Sequence, residues 1–291
     1  MANVLIEENT LKGIADVVRS ITGSTDKMLM SEAVSKLCTI KEIICPNGKT
    51  WTQSNITSGN FKSVYNADGI WVAASYTLGL YYSTDGKTWT QSNITSGNFE
   101  SVYNADGIWV AGSGSGSGGS TGSGLYYSTD GKYWYLSNIA SDRFNSVYNA
   151  NGIWVTSNNS GLYYSTDGKT WTQSNITSGN FKSVYNANGI WVAGVSGYSS
   201  GLYYSTDGKY WYRSNITSGA IGSLYNTNGI WVAGADGSSY YPFKGLYYST
   251  DGKTWTQSNV IRGDFRSVYN ANGIWVAGGN NGLYYSQSAI E

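Results

Sequence analysis

WTQSNITSGNFKSVYNADGIWVA, residues 51–73, decides the fold, because the chain repeats it. The stretch returns at 89–111 with Glu100 in place of Lys62, and at 171–193 with Asn188 in place of Asp68. Looser copies begin at Trp134, Trp211 and Trp255, so the six leading tryptophans are 38, 45, 37, 40 and 44 residues apart. A period of about 40 built from short strands is the length of one four-stranded propeller blade. Each copy contains four strand-like runs, at 61–66 (FKSVYN), 70–73 (IWVA), 79–83 (GLYYS) and 87–92 (KTWTQS). Asp-Gly or Asn-Gly joins the first run to the second, and Asp-Gly the third to the fourth; hairpin turns favour these pairs because they need positive φ. IWVA is apolar throughout, as expected of a strand covered on both faces.

Counting the copies predicts how the ring closes. GIWV occurs six times, beginning at Gly69, Gly107, Gly152, Gly189, Gly229 and Gly273. GLYYS also occurs six times, ending with 282–286, but no GK[TY]W strand follows that last copy. The sixth GK[TY]W lies at 48–51, ahead of any complete unit. The expectation is an all-β, six-bladed propeller over 44–291 whose last blade is shared between the two chain ends, leaving no open sheet edge.

Composition supports this and excludes several functions. With 38 Gly, 26 Tyr, 12 Trp and only 2 Pro in 291 residues, the chain favours strands and tight turns around an aromatic core. It has no His, which removes His-based catalysis and His-ligated zinc. A net charge of +0 gives no basic field for nucleic acid. No run approaches the ~20 apolar residues of a membrane-spanning helix, and the first ten residues lack a basic, then apolar, secretory pattern. Cys38 and Cys45 form neither a CxxC pair nor a metal-ligand set and read as thiols of a chain made in a reducing cytoplasm. Neither cofactor nor metal is expected.

YYSTDGKTW (81–89) resembles the Asp-box, or bacterial neuraminidase repeat, of sialidase-type and lectin-type propellers. The likeness covers 46–286 and places the box aspartates at Asp85, Asp130, Asp167, Asp207 and Asp251. The spacing from Asp to Trp is one residue shorter than the usual form, and the shared blade has Asn47 where an Asp would sit. Near-identical copies around a ring imply a turn-building role for these carboxylates. The repeated tryptophans, such as Trp71, Trp89 and Trp109, read as inter-blade core. Sialidase chemistry would need an arginine cluster, a Tyr/Glu nucleophile pair and an acid/base Asp. The propeller's arginines, Arg143, Arg213, Arg262 and Arg266, fall at four different repeat positions. Its only Glu before the terminal Glu291 is Glu100, and a carboxylate pair would have to come from Asp142, Asp236 and Asp264. The reading is not an enzyme.

What varies between units is the connection from second to third strand: 74–78, 112–123, 157–160, 194–200, 234–244 and 278–281. These loops are expected on one rim with the blade-to-blade crossings, opposite the Asp boxes. They carry aromatics outside the repeat register, Tyr76, Tyr198, Tyr240, Tyr241 and Phe243, which form the candidate ligand site.

Residues 1–43 differ in kind. Leu11, Ile14, Ala15, Val18 and Ile21 follow helical spacing up to Thr22-Gly23; Ala33, Val34, Leu37, Cys38 and Ile40 form a second stripe after Ser31. Two short helices cannot bury a core alone, so attachment to another protein or to copies of this chain is expected. The stretch Asn9-Thr10-Leu11…Ile14-Ala15-Asp16…Arg19…Thr22-Gly23 resembles an N-terminal segment of tail and prophage-encoded proteins of phages that infect Gram-positive bacteria. That resemblance implies a receptor-binding adhesin on a phage tail or tail-like particle. Its partners would be a cell-surface glycan or protein receptor and other tail proteins, or further copies in a homo-oligomer, with no nucleic acid and no membrane insertion. A free multivalent lectin and a purely structural propeller are the alternatives.

Overall fold

The computed structural model of the protein describes residues 51–114, 123–140, 142–196, 201–217, 219–236, 244–271, 273–280 and 282–287. The chain divides into two units, Met1–Gln53 and Ser54–Glu291. The helices expected over 1–43 and residues 48–50 of the strand expected at 48–51 lie outside the described residues; Trp51, the last residue of that strand, is described, is not in a strand and is 86 % exposed rather than buried in a blade.

Ser54–Glu291 contains six antiparallel sheets, each built from consecutive strands, with no helix among the described residues. Blade 1 comprises Phe61–Ala67, Ile70–Ser75, Gly79–Ser83 and Thr90–Gln91, paired in that order. Blades 2 to 5 repeat it over 98–140, 144–173, 180–213 and 220–257. Blade 6 has three strands, Phe265–Ala271, Ile274–Gly279 and Gly282–Gln287. Six units of this topology are the blades of a β-propeller.

Both expected turns form, by different means. In the first-to-second turn both central residues have positive φ, Asp68 at 49° and Gly69 at 78°. In the third-to-fourth turn only the glycine does, Gly86 at 70°, and the aspartate works through its side chain. The fourth strand is shorter than the expected 87–92: outside blade 2, where it runs Tyr135–Ala140, it is two residues long. The Lys87 and Thr88 N–H groups are bound by the Asp85 carboxylate and so are unavailable to the ladder.

Packing between blades is directional. Val72, Ala74 and Leu80 of blade 1 lie against Phe99, Val102, Trp109, Ala111, Tyr126 and Trp134 of blade 2. Equivalent sets join blades 2–3, 3–4 and 4–5, each including the fourth-strand tryptophan of the later blade: Trp171, Trp211 and Trp255. These indoles are 2–3 % exposed, as are Trp109, Trp154, Trp191 and Trp231. These eight tryptophans are inter-blade core, and burying each one contributes at most about 4–6 kcal/mol; Trp71, expected there too, is 38 % exposed and Trp89 only partly buried, because blade 1 lacks a described blade on its outer side. The outer faces of the first and last blades lack this cover. Val64 is 57 % exposed where its blade 2 equivalent Val102 is 4 %, and Leu283 is 79 % exposed where Leu80 is 0 %. Among the described residues, no fourth-strand tryptophan packs into the 5–6 interface. A cavity of about 750 Å3 opens there, lined by Val232, Leu246, Val268, Trp275, Ala277 and Tyr284.

Candidate binding surface

The Asp boxes are saturated turns. Asp85 Oδ1 accepts the N–H groups of Lys87 and Thr88 at 2.7 and 2.8 Å and the Ser83 hydroxyl at 2.8 Å. Ser83 Oγ in turn accepts the Gly86 N–H at 2.9 Å. The same pattern holds at Asp130, Asp167, Asp207 and Asp251. Hydrogen bonds from the Thr88 and Lys87 backbone and from Ser83 stabilise the charged form and hold the Asp85 carboxyl at about 2. At the other four boxes burial pushes the other way, but the backbone donors and the serine together outweigh it and the carboxyl is lowered. A carboxylate occupied in this way builds a turn and holds no proton for catalysis near neutral pH.

A second repeated device, missed in the sequence reading, ties successive blades. Asn175, in the crossing after the fourth strand of blade 3, donates from Nδ2 to the Trp211 carbonyl at 2.9 Å and accepts the Trp211 N–H at 2.8 Å. Asn55, Asn93, Asn138 and Asn215 hold Trp89, Trp134, Trp171 and Trp255 identically. The recurring Ser-Asn-Ile/Val was its signal: Asn259 is the sixth copy, and no such partner meets it among the described residues.

Along the innermost strands, Tyr65, Tyr103, Tyr148, Tyr185, Tyr225 and Tyr269 stand in a file, their successive ring centroids 4.7, 5.0, 5.0, 5.9 and 4.8 Å apart. Burial, reinforced by Tyr148 and Tyr65 on either side, drives the Tyr103 phenol far above its ordinary value. The six rings pack against one another along this file.

Each first strand carries a β-bulge near its start, where the register skips one residue. The skipped residue is Lys62, Glu100, Asn145, Lys182, Gly222 or Arg266, a variable position inside an otherwise repetitive strand. Bulges re-aim side chains, and this one lies at the same strand ends as the variable loops. There Arg143 crosses from the start of blade 3 to pair with Glu100 of blade 2 at 2.7 Å. Nearby, Lys182 is lowered by burial and by Arg143, against the opposing pull of Glu100. Glu100, which stands where the first copy has the exposed Lys62, is a partly buried ion-pair partner, because the blades bring residues 43 apart together.

Of the five loop aromatics expected to bind ligand, Tyr76 is described. It is half-buried, its N–H bonds the Asn60 carbonyl at 2.7 Å, and the Lys62 ammonium lies 5.4 Å from its ring centre. Tyr198, Tyr240, Tyr241 and Phe243 lie outside the described residues. No group of three His, Cys, Asp or Glu that could hold a metal occurs among the described residues.

No family model matches the chain, and no curated protein does. Solved structures do. YCF48, in a structure with a bound peptide, is 17 % identical with a TM-score of 0.55, over 81 % of each chain. The extracellular domain of BT4673 from B. thetaiotaomicron is 14 % identical with a TM-score of 0.58, over 81 % of this chain and 33 % of that one. An ancestral GH74 enzyme is 15 % identical with a TM-score of 0.55, over 79 % and 38 %. These are propellers of repeated four-stranded blades, and at such identities the likeness establishes the fold alone.

Proposed function

We propose that this chain is a non-catalytic, receptor-binding propeller of the Asp-box type, carried on a phage tail or tail-like particle and directed at a cell-surface glycan. One observation carries the reading: most of the variation between blades lies at one set of strand ends. Strands and Asp boxes repeat nearly unchanged, whereas the bulge residues and the second-to-third-strand loops differ from blade to blade. A rigid scaffold with one variable rim is the arrangement of a recognition protein. Tyr76, Tyr198, Tyr240, Tyr241 and Phe243 supply rings that can stack on the apolar face of a sugar. The N-terminal residues 1–43 serve attachment, the reading that their likeness to tail-protein segments supports.

In the same reading, the strand at 48–51 completes blade 6. Three features support this: a three-stranded last sheet, a cavity where each earlier interface holds a fourth-strand tryptophan, and a sixth asparagine, Asn259, facing it. Trp51 is the sixth tryptophan in the count.

The test is binding to glycan arrays and to bacterial cells by the full chain and by the Tyr240→Ser/Tyr241→Ser/Phe243→Ser variant. The expected result is loss of binding at an unchanged melting temperature. Full binding by the variant would remove the site from the rim.

A further inference from the structure

The repeat has a Thr-Trp-Thr fourth strand in blades 1, 3 and 5, and Tyr-Trp-Tyr in blades 2 and 4. The same two positions change together, to the same residue, in two blades that are not adjacent. In blade 2, Tyr133 and Tyr135 flank the buried Trp134. Tyr133 closes the Asp-box turn, its N–H bound by the Asp130 carboxylate, and Tyr135 opens the fourth strand, so both rings stand clear of the interface that the indole fills. They are 63 % and 58 % exposed. Tyr135 pairs across the sheet with Tyr127, their ring centroids 5.7 Å apart and tilted by 33°. The Lys169 ammonium, from the Asp-box turn of blade 3, lies 5.8 Å from the Tyr127 ring centre.

Blade 4 builds the same object. Tyr210 and Tyr212 are 62 % and 57 % exposed, Tyr212 lies 5.8 Å from Tyr204 at a tilt of 32°, and Lys253 of blade 5 covers Tyr204 at 5.9 Å. In blade 3, between them, Thr170 and Thr172 take the tyrosine positions and the shelf is absent.

We propose that these two tyrosine shelves are a pair of equivalent subsites for the pyranose rings of a neutral polysaccharide, separate from the variable rim. The inference rests on the glycan-binding reading above and adds where and how a polymeric ligand is held. Each shelf offers ring faces for the C–H face of a sugar, with phenol hydroxyls and one ammonium as hydrogen-bonding groups for its hydroxyls. Three tyrosines and a lysine fall well short of the ~800 Å2 per partner of a stable protein interface, and the threonine-bearing blade between the shelves breaks any continuous apolar surface. Two identical small sites held rigidly apart suit a repeating chain, where the second engagement is intramolecular and multiplies a weak first one.

The repeat itself supplies the control, since Thr at these positions is what blades 1, 3 and 5 fold with. Affinity electrophoresis of the full chain through gels containing dextran, mannan or galactan compares five proteins. These are the wild type, Tyr133→Thr/Tyr135→Thr, Tyr210→Thr/Tyr212→Thr, the four-Thr variant, and the Tyr240→Ser/Tyr241→Ser/Phe243→Ser loop variant. The expected result is retardation of the wild type by at least one polymer, weakened about 100-fold or more by loss of either shelf and abolished in the four-Thr variant. Retardation that survives in the four-Thr variant overturns the shelves; if it is lost in the loop variant instead, the rim reading stands without them. A wild type retarded by none of the three polymers also overturns the shelves, and the cell-binding test then judges the rim reading by itself.

Discussion

Changing Asn175 to Ala removes both side-chain bonds to the Trp211 backbone, the N–H at 2.8 Å and the carbonyl at 2.9 Å. Two such bonds are worth about 1 kcal/mol each net, and leaving two part-buried backbone groups without partners adds about 1–2 kcal/mol. The expected loss is therefore about 3–4 kcal/mol. For a unit of this size, about 2–4 °C accompanies each kcal/mol, so the melting temperature should fall by about 6–16 °C. Differential scanning calorimetry at neutral pH, with urea titration followed by tryptophan fluorescence, measures both quantities. A melting temperature within 1 °C of the wild type would refute the latch as a stabilising element. Asn259→Ala extends the experiment to closure. If the 48–51 strand completes blade 6, Asn259 holds Trp51 as Asn175 holds Trp211, and the two variants should lose similar stability. An Asn259→Ala protein indistinguishable from wild type, beside a destabilised Asn175→Ala, would remove the shared blade from the account.

Two further outcomes follow from the turns. The box aspartates titrate lower in the folded chain than in the unfolded one, Asp85 at about 2. The unfolded chain therefore binds more protons at acid pH, and this stability is complete above the ordinary Asp value of about 4 and lost as pH falls toward 2. The urea midpoint should be flat from pH 7 to 5 and drop between pH 4 and 2; a fall confined to pH 7–5 would assign acid sensitivity elsewhere. Gly201 has φ of +140°, and a Cβ there would collide with the Ile216 carbonyl oxygen, which accepts the Leu202 N–H at 3.0 Å. Gly201→Ala should cost at least about 1–3 kcal/mol through backbone strain, read as a lowered urea midpoint; an unchanged midpoint would show that the crossing gives way freely.

Much of this molecule is local, and the local part was legible. Asp68-Gly69 makes its turn through two positive φ values that depend only on those residues. IWVA takes a strand covered on both faces because its side chains leave no polar face. Repetition then multiplied each local reading by six, which is why the blade count could be read from GIWV and GLYYS without knowing how one blade meets the next. The repeated tryptophans were placed in the core on the same ground, and eight of them are there.

What the sequence could not settle depends on which residues meet across blades. Asn175 and Trp211 are 36 residues apart and Arg143 and Glu100 are 43 apart. Neither distance has a pattern of its own; the packing angle between sheets sets both. The bulge at Lys62 and its equivalents is a property of the strand pair, since only the register with the second strand reveals the skipped residue. Exposure is likewise tertiary. Tyr126 and Tyr127 are neighbours in an identical GLYYS, yet the first is buried against the preceding blade while the second carries the ring of Tyr135. The periodicity of the chain determined how many blades there are and which turns join their strands. The stacking of one sheet on another decided which repeated side chains are core, which are latches, and which remain exposed.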